Sequence, residues 1–246
     1  MTALILILVV MSFAFFMKAI TGFGGPLLAV PLLAPFLGVE HAVVATAIGN
    51  IVSNVLLLWQ NREGSLGTKR LLVRMLVPGA VAAVLGAILL TSLPDDLLLA
   101  MLGVTVLVYI LVALRRPDLH LSQEKGMRVA VPVGTVGGFM HGATGNSGAV
   151  FGTFLHSLRL PRSEFVFAVT NVFLILSLAQ VATLVARGSF TGERTVQSLI
   201  AVVPVLVVTP FGVRVSRKLD ATVFGRVVLA MLAIAGIRLV LAGFGI

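Results

Sequence analysis

The sequence predicts an all-α polytopic membrane protein made of two inverted repeats, each a broken, re-entrant helix hairpin followed by three spanning helices. Three observations carry this. Hydrophobic residues make up 59% of the 246 and charged residues only 11%, with a mean hydropathy of +1.12. No soluble domain of that size hides so much apolar surface. A glycine-rich interruption occurs twice, 123 residues apart. The cationic loops gather on one side of a bilayer when the two halves are placed upside down relative to each other.

The first half, 1–115, opens with an apolar run at 3–17. That run lacks a basic leader region and a small-residue cleavage site, so it is read as part of the bundle and not as a signal peptide. A second run, 26–37, completes a hairpin over 3–37. Runs at 41–60, 71–91 and 97–114 are each about 18–23 residues, enough for a spanning helix. A polar segment, 116–126, is the expected cytoplasmic linker. In the second half, 127–246, short runs at 129–140 and 149–158 form a hairpin over 129–158. Spanning runs at 164–186, 196–213 and 221–243 follow. The runs are continuous, without the period of two that a lipid-facing barrel requires.

The first break reads Lys18-Ala19-Ile20-Thr21-Gly22-Phe23-Gly24-Gly25-Pro26, and the second His141-Gly142-Ala143-Thr144-Gly145-Asn146-Ser147-Gly148. Thr21 falls over Thr144, Gly22 over Gly145 and Gly25 over Gly148, and in each copy a cation-capable side chain stands three residues before the Thr. Further along, Arg62-Glu63-Gly64-Ser65 matches Ala186-Arg187-Gly188-Ser189, Pro78 matches Pro204, and Gly86 matches Gly212. The order of features is kept throughout, which marks an internal repeat.

Loop charges choose its orientation. If each broken segment enters and leaves on one face, the halves are inverted. The cytoplasmic side then receives Arg62, Lys69, Arg70, Arg74, Arg115, Arg116, Lys125, Arg128, Arg159, Arg162, Arg214, Arg217 and Lys218, and the outer side only Arg187 and Arg194. If each broken segment crosses once, the halves are parallel and the bias falls to eight inside against seven, or ten against five, depending on where Arg187 and Arg194 fall. Inverted halves, with both termini outside, satisfy the positive-inside rule.

Broken segments at matching positions point to a binding site near the bilayer midplane. Half-helix N-termini there would present free N–H groups and the positive end of the dipole, which suits an anion. Glycines allow the sharp turn and a close backbone approach. Lys18 and His141 strengthen this reading, because a charge at mid-bilayer costs about 2.5–3.5 kcal/mol on insertion scales and is usually functional where it is kept. The plainer alternatives are a snorkelling interfacial lysine and a neutral histidine bonded inside the bundle. Asn50, Ser53 and Asn54 share one helical face, and Thr170, Asn171 and Ser177 lie near the repeat equivalents of that face. Inter-helix hydrogen bonding is the plainer reading for each. The candidate substrate-binding set is Lys18, Thr21, Gly22, Gly24, Gly25, Asn50, Asn54, His141, Thr144, Gly145, Asn146, Ser147 and Asn171. His141 is also the candidate proton carrier, since imidazole ordinarily titrates near pH about 6.5. Gln60 and Gln180 read as structural, and Trp59 and Tyr109 as interfacial anchors.

Other classes fit poorly. The net charge of +9 sits in short loops between apolar runs, so a nucleic-acid partner is not expected. There is no cysteine, and no second His, Asp or Glu stands at ligand spacing from His141, so neither a thiol, a metal nor another cofactor is expected. Gly145-Asn146-Ser147-Gly148 lacks the G-x-S-x-G spacing of a nucleophile elbow, and no paired deep carboxylates occur, so an intramembrane enzyme is not expected.

A G-x-G-G break followed by Pro31, a weaker second copy, the Arg-x-Gly-Ser turn and a length near 250 residues together resemble the TauE/SafE family. These bacterial membrane transporters are also called the sulfite exporter or 4-toluene sulfonate uptake family. The resemblance covers essentially the whole chain through short motifs. It implies a multi-pass protein of the bacterial inner membrane that moves sulfite or an organosulfonate, usually outward. The family's glycine motif falls on Gly22, Gly24 and Gly25 and, in degenerate form, on Gly145 and Gly148. The second copy departs from it, with Asn146-Ser147 in place of further glycines and Phe154 where the first repeat has Pro31. A secondary transporter of a small sulfur-containing anion is the leading expectation, with partners limited to that anion and the lipid bilayer. A passive anion channel, built on the same electrostatics, is the alternative.

Overall fold

A computed structural model of the chain describes residues 2–21, 25–60, 69–115, 120–216 and 221–243, and every regular element among them is helical. In chain order these are α1 (Thr2–Thr21), α2 (Gly25–Leu37), α3 (Val39–Gln60), α4 (Lys69–Leu90), α5 (Asp95–Arg115) and α6 (Gln123–Thr144). Then come α7 (Gly148–Ser157), α8 (Arg162–Ala186), α9 (Gly192–Ile200), α10 (Val202–Ser216) and α11 (Ala221–Gly243). The chain is an all-α polytopic membrane protein, and five stretches among the described residues are long and apolar enough to cross a bilayer. Large apolar side chains point outward, as Val73, Val77, Val81 and Leu85 do along α4, while Met75, Gly79, Ala83 and Gly86 of the same helix face inward. That pattern suits a lipid solvent, where small residues inside let helices approach closely.

Boundaries differ from the sequence reading in three places. The runs at 3–17 and 129–140 are parts of helices of 20 and 22 residues, about 30 and 33 Å long at the α-helical rise. Each helix continues through its cation to the threonine, and α6 also starts earlier, inside the expected linker. There Ser122 caps it by accepting from the Lys125 N–H at 3.4 Å. The run at 196–213 is interrupted at Ala201, between α9 and α10. Pro204, without an N–H and with its ring against the carbonyl four residues back, disfavours an unbroken helix there.

The helix starts keep the repeat. Gly25 and Gly148, Val39 and Arg162, and Lys69 and Gly192 each open corresponding helices at the 123-residue offset of the breaks, and Asp95 and Ala221 open the last pair. Packing follows the same correspondence. α4 lies along α6, and α1 along α10. Within these crossings Gly86 stands against Phe139 and Ala143, and its counterpart Gly212 against Phe16 and Ala19. Both pairs run parallel: Met75, Gly79 and Ala83 meet Gly134, Gly138 and Gly142 in order, and Phe16 stacks on Phe211 while Met11 and Val205 meet at Gly49. The pair α5 and α11 runs antiparallel, because Ala100, Gly103 and Val106 meet Gly243, Val240 and Gly236.

At one end of the bundle the two halves are tied by polar contacts. Arg194 pairs with Glu40 at 2.8 Å, His41 Nε2 lies 2.6 Å from Gln197 Oε1, and Arg187 donates to Thr91 and Ser92. The Arg194–Glu40 groups keep some solvent contact, so this pair stabilises by about 1 kcal/mol at most. Gly38 opens the same end of α3 with φ +84°, and the following Val39 N–H donates to Asp95 Oδ1 at 3.1 Å. A Cβ on Gly38 would collide with that carboxylate. Gly38→Ala is therefore expected to destabilise the protein by about 2 kcal/mol, combining left-handed backbone strain with loss of the Asp95 cap. A thermal melt of the detergent-solubilised protein checks it, and an unchanged midpoint would refute it.

Candidate functional site

Two apolar cores divide the molecule. One draws mainly on α1, α2, α3 and α5, and the other on α4, α6, α7 and α8. Between them lies a cavity of about 10 Å³, room for roughly one water. Lys18, Pro26, Leu27 and Asn50 line it from the first half, and His141, Gly145–Gly148 and Phe173 from the second. Asn50 sits eleven residues into the 22 of α3, about 17 Å along a helix of about 33 Å, so the cavity lies near the middle of the bundle.

Lys18 and His141 are each 1% exposed. The Lys18 ammonium donates to Asn50 Oδ1 and Asn54 Oδ1, both at 2.7 Å, and lies 5.4 Å from the centre of the Phe15 ring. None of these is a carboxylate. The bundle thus surrounds the cation with amide dipoles and a ring face, which stabilise it but do not neutralise it. Asn50 Nδ2 donates to Ser177 Oγ at 2.8 Å, and Ser177 Oγ lies 3.1 Å from His141 Nε2. His141 Nδ1 is 3.1 Å from Ser147 Oγ, and the imidazole stacks on Phe173. A continuous hydrogen-bonded chain therefore joins Lys18 of one half to His141 of the other.

The second break shows how local sequence builds the turn. Gly145 closes α6 at φ +69°, its N–H donating to His141 O at 2.7 Å. Glycine takes that left-handed conformation without a side-chain penalty. Thr144 Oγ1 accepts from the Asn146 N–H, and Asn146 Oδ1 from the Gly148 N–H. Gln180 Nε2 reaches across from α8 to the carbonyls of His141 and Gly142, at 2.8 and 3.0 Å. In the first break Gly25 is the tight point: a Cβ there would press on the Phe15 ring and the Lys18 stem.

The structure brings together Lys18, Asn50, Asn54, Gly25, His141, Gly145, Asn146 and Ser147 from the sequence-predicted set. Thr144 is buried but spent on the turn. Asn171 is not brought to the cavity: it is half-buried and donates to Phe167 O within its own helix. Gly22, Gly24 and the Thr21 side chain lie outside the described residues. In place of Asn171 the site uses Ser177 and Phe173. The signal for them was present, because the 123-residue offset that aligns the breaks carries Asn54 onto Ser177 and Asn50 onto Phe173. Gln180, outside the candidate set, bonds the carbonyls of His141 and Gly142 at the end of α6. Trp59 is exposed and Tyr109 half-buried.

A family model described as Sulfite exporter TauE/SafE matches residues 6–239, nearly the whole chain. No curated protein and no solved structure matches.

Proposed function

The chain belongs to the sulfite exporter TauE/SafE family, and from that membership we propose that it exports a small sulfur-containing anion, sulfite or an organosulfonate, by alternating access around the Lys18–His141 cavity. The observation that carries this reading is the buried Lys18 ammonium at the centre of the bundle, whose partners among the described residues are neutral groups. A bound anion supplies the missing countercharge. Asn50, Asn54, Asn146, Ser147 and the start of α7 surround the place it would take.

The same proposal takes the halves as inverted re-entrant repeats. Support comes from α5 and α11, which are repeat equivalents and run antiparallel, as a pseudo-twofold axis in the membrane plane requires. With spans that alternate in direction, an antiparallel α5–α11 pair calls for α7 to turn back on α6, and the parallel α1–α10 pair then calls for α2 to turn back on α1. The basic face formed by Lys69, Arg70, Arg74, Arg115, Lys125 and Arg128 is then cytoplasmic, and both termini are outside.

A cavity with room for one water favours a carrier over an open channel, because the anion enters only when the helices around it separate. Each hairpin packs on a helix of the opposite half, α1 on α10 and α6 on α4, so a rocking motion would carry mixed pairs. Reconstitution separates the two classes. Proteoliposomes with an imposed proton gradient are expected to accumulate sulfite above the outside concentration. Uptake that stops at equal concentrations would identify a passive channel. His141→Ala is expected to remove the gradient dependence if the imidazole carries the coupled proton.

A further inference from the structure

We propose that the cavity is a donor-only site, selecting anions that carry no proton of their own and rejecting isosteric anions that do. The proposal rests on the anion-site reading above and names the ligand chemistry that site takes.

The direction of the hydrogen bonds around the cavity is set by groups that can only donate. An ammonium has no acceptor, so Lys18 fixes the oxygen of Asn50 and that of Asn54 toward itself. Asn50 must then present its Nδ2 to Ser177, whose oxygen accepts. The one hydroxyl proton of Ser177 is satisfied by donation to His141 Nε2. In the opposite arrangement that proton is buried without a partner, at a cost of about 1–3 kcal/mol. With Nε2 accepting, the neutral imidazole carries its proton on Nδ1 and donates it to Ser147 Oγ. Ser147 is left with its own O–H to offer the cavity.

Asn146 reaches the same end by another route. The Gly148 N–H can only donate, so it fixes Asn146 Oδ1 as its acceptor. The Asn146 side chain, 3% exposed and lining the cavity, keeps an Nδ2 with no partner. Among the described residues, Asn50 Oδ1 and Asn146 Oδ1 at the cavity each already take a hydrogen bond, and the side-chain hydrogens left over are those of Asn146 Nδ2 and Ser147 Oγ. A fully ionised sulfonate or sulfite presents only lone pairs to them. A ligand of the same shape and charge with one O–H would set a proton against a donor, and among the described residues it must share an acceptor that is already in use.

Methanesulfonate and methylphosphonate test this at a pH where the phosphonate is a monoanion. The two ions then match in charge and shape and differ by one proton. Titration of the purified full chain in detergent micelles is expected to show methanesulfonate binding roughly 10- to 100-fold more tightly. The phosphonate should gain affinity as rising pH removes its proton. Equal affinity for the two would overturn the donor-only site while leaving the anion site standing. Binding of neither would remove the anion site itself. Asn146→Asp gives a second readout, because it replaces the free Nδ2 by an acceptor oxygen. Both ligands weaken beside the added charge, but their ratio should shift toward the protonated phosphonate, and an unmoved ratio would count against the proposal.

Discussion

Lys18→Ala is expected to lower anion transport by about 100-fold or more while the protein still inserts and folds. Removing one member of a buried, bonded charge pair costs about 2–5 kcal/mol, and each 1.4 kcal/mol is a factor of ten. The effect on the empty protein is smaller because two terms oppose. Truncation leaves Asn50 and Asn54 Oδ1 without their donor, at about 1–3 kcal/mol each. It also removes a cation whose placement at mid-bilayer costs about 2.5–3.5 kcal/mol. Lys18→Met keeps most of the packing volume against Phe15 and Gly25 and should behave alike. Sulfite flux in proteoliposomes, normalised to protein recovered as a monodisperse peak, checks both variants. His141→Ala should also impair flux, since it removes the ring that orders Ser147. Wild-type flux from Lys18→Ala and His141→Ala would sink the site.

Gly138→Leu is expected to be the most damaging change away from the cavity. Gly134, Gly138 and Gly142 form a stripe on α6 at four-residue spacing, and a Cβ on each would collide with the backbone carbonyl of Met75, Gly79 and Ala83 in turn. Backbone cannot rotate aside as a side chain can. Overpacking typically costs about 1–3 kcal/mol, and Leu at this crossing should reach or pass the top of that range by forcing α4 and α6 apart. The loss should also reach the site, because α6 ends at His141–Thr144. Gly192→Leu is the control, since nothing lies within 4 Å of a Cβ there. Unfolding in rising SDS or heat is the measurement. A Gly138→Leu variant as stable as Gly192→Leu would show that the α4–α6 approach does not limit stability.

Much of the fold and part of the candidate site are legible in the sequence. Lys18 and His141 were visible because a cation in an apolar run is rare, and the glycine spacing aligned them as repeat equivalents. Asn50 and Asn54 were visible because a helix places i and i+4 on one face. Ser177 was harder to choose. Thr170, Asn171 and Ser177 all lie on one long apolar helix, and periodicity alone does not say which of its faces meets α3. Asn171 satisfies itself on the Phe167 carbonyl, a local bond that leaves no trace in the pattern. The glycine stripe on α6 was in plain view, but its meaning depends on α4 lying against it.

α1 and α6 outrun their apolar runs for a related reason. An apolar run ends at the nearest polar residue, yet a helix continues through Lys18 or His141 when other helices satisfy those side chains. The break at Ala201 has the opposite origin: Pro204 interrupts hydrogen bonding inside a run whose hydropathy is continuous.

By itself, then, the sequence determined the solvent, the helical class, the repeat and the two cationic breaks, because hydropathy, helix length and glycine spacing act along the chain. Tertiary structure alone decided that Lys18 and His141 face one small cavity, that Ser177 joins them, and that Asn146 keeps an unpartnered Nδ2 there. Those facts depend on which helix faces meet and which way each amide and hydroxyl is turned. Contacts across 32 to 127 residues of chain set them, and no local pattern records them.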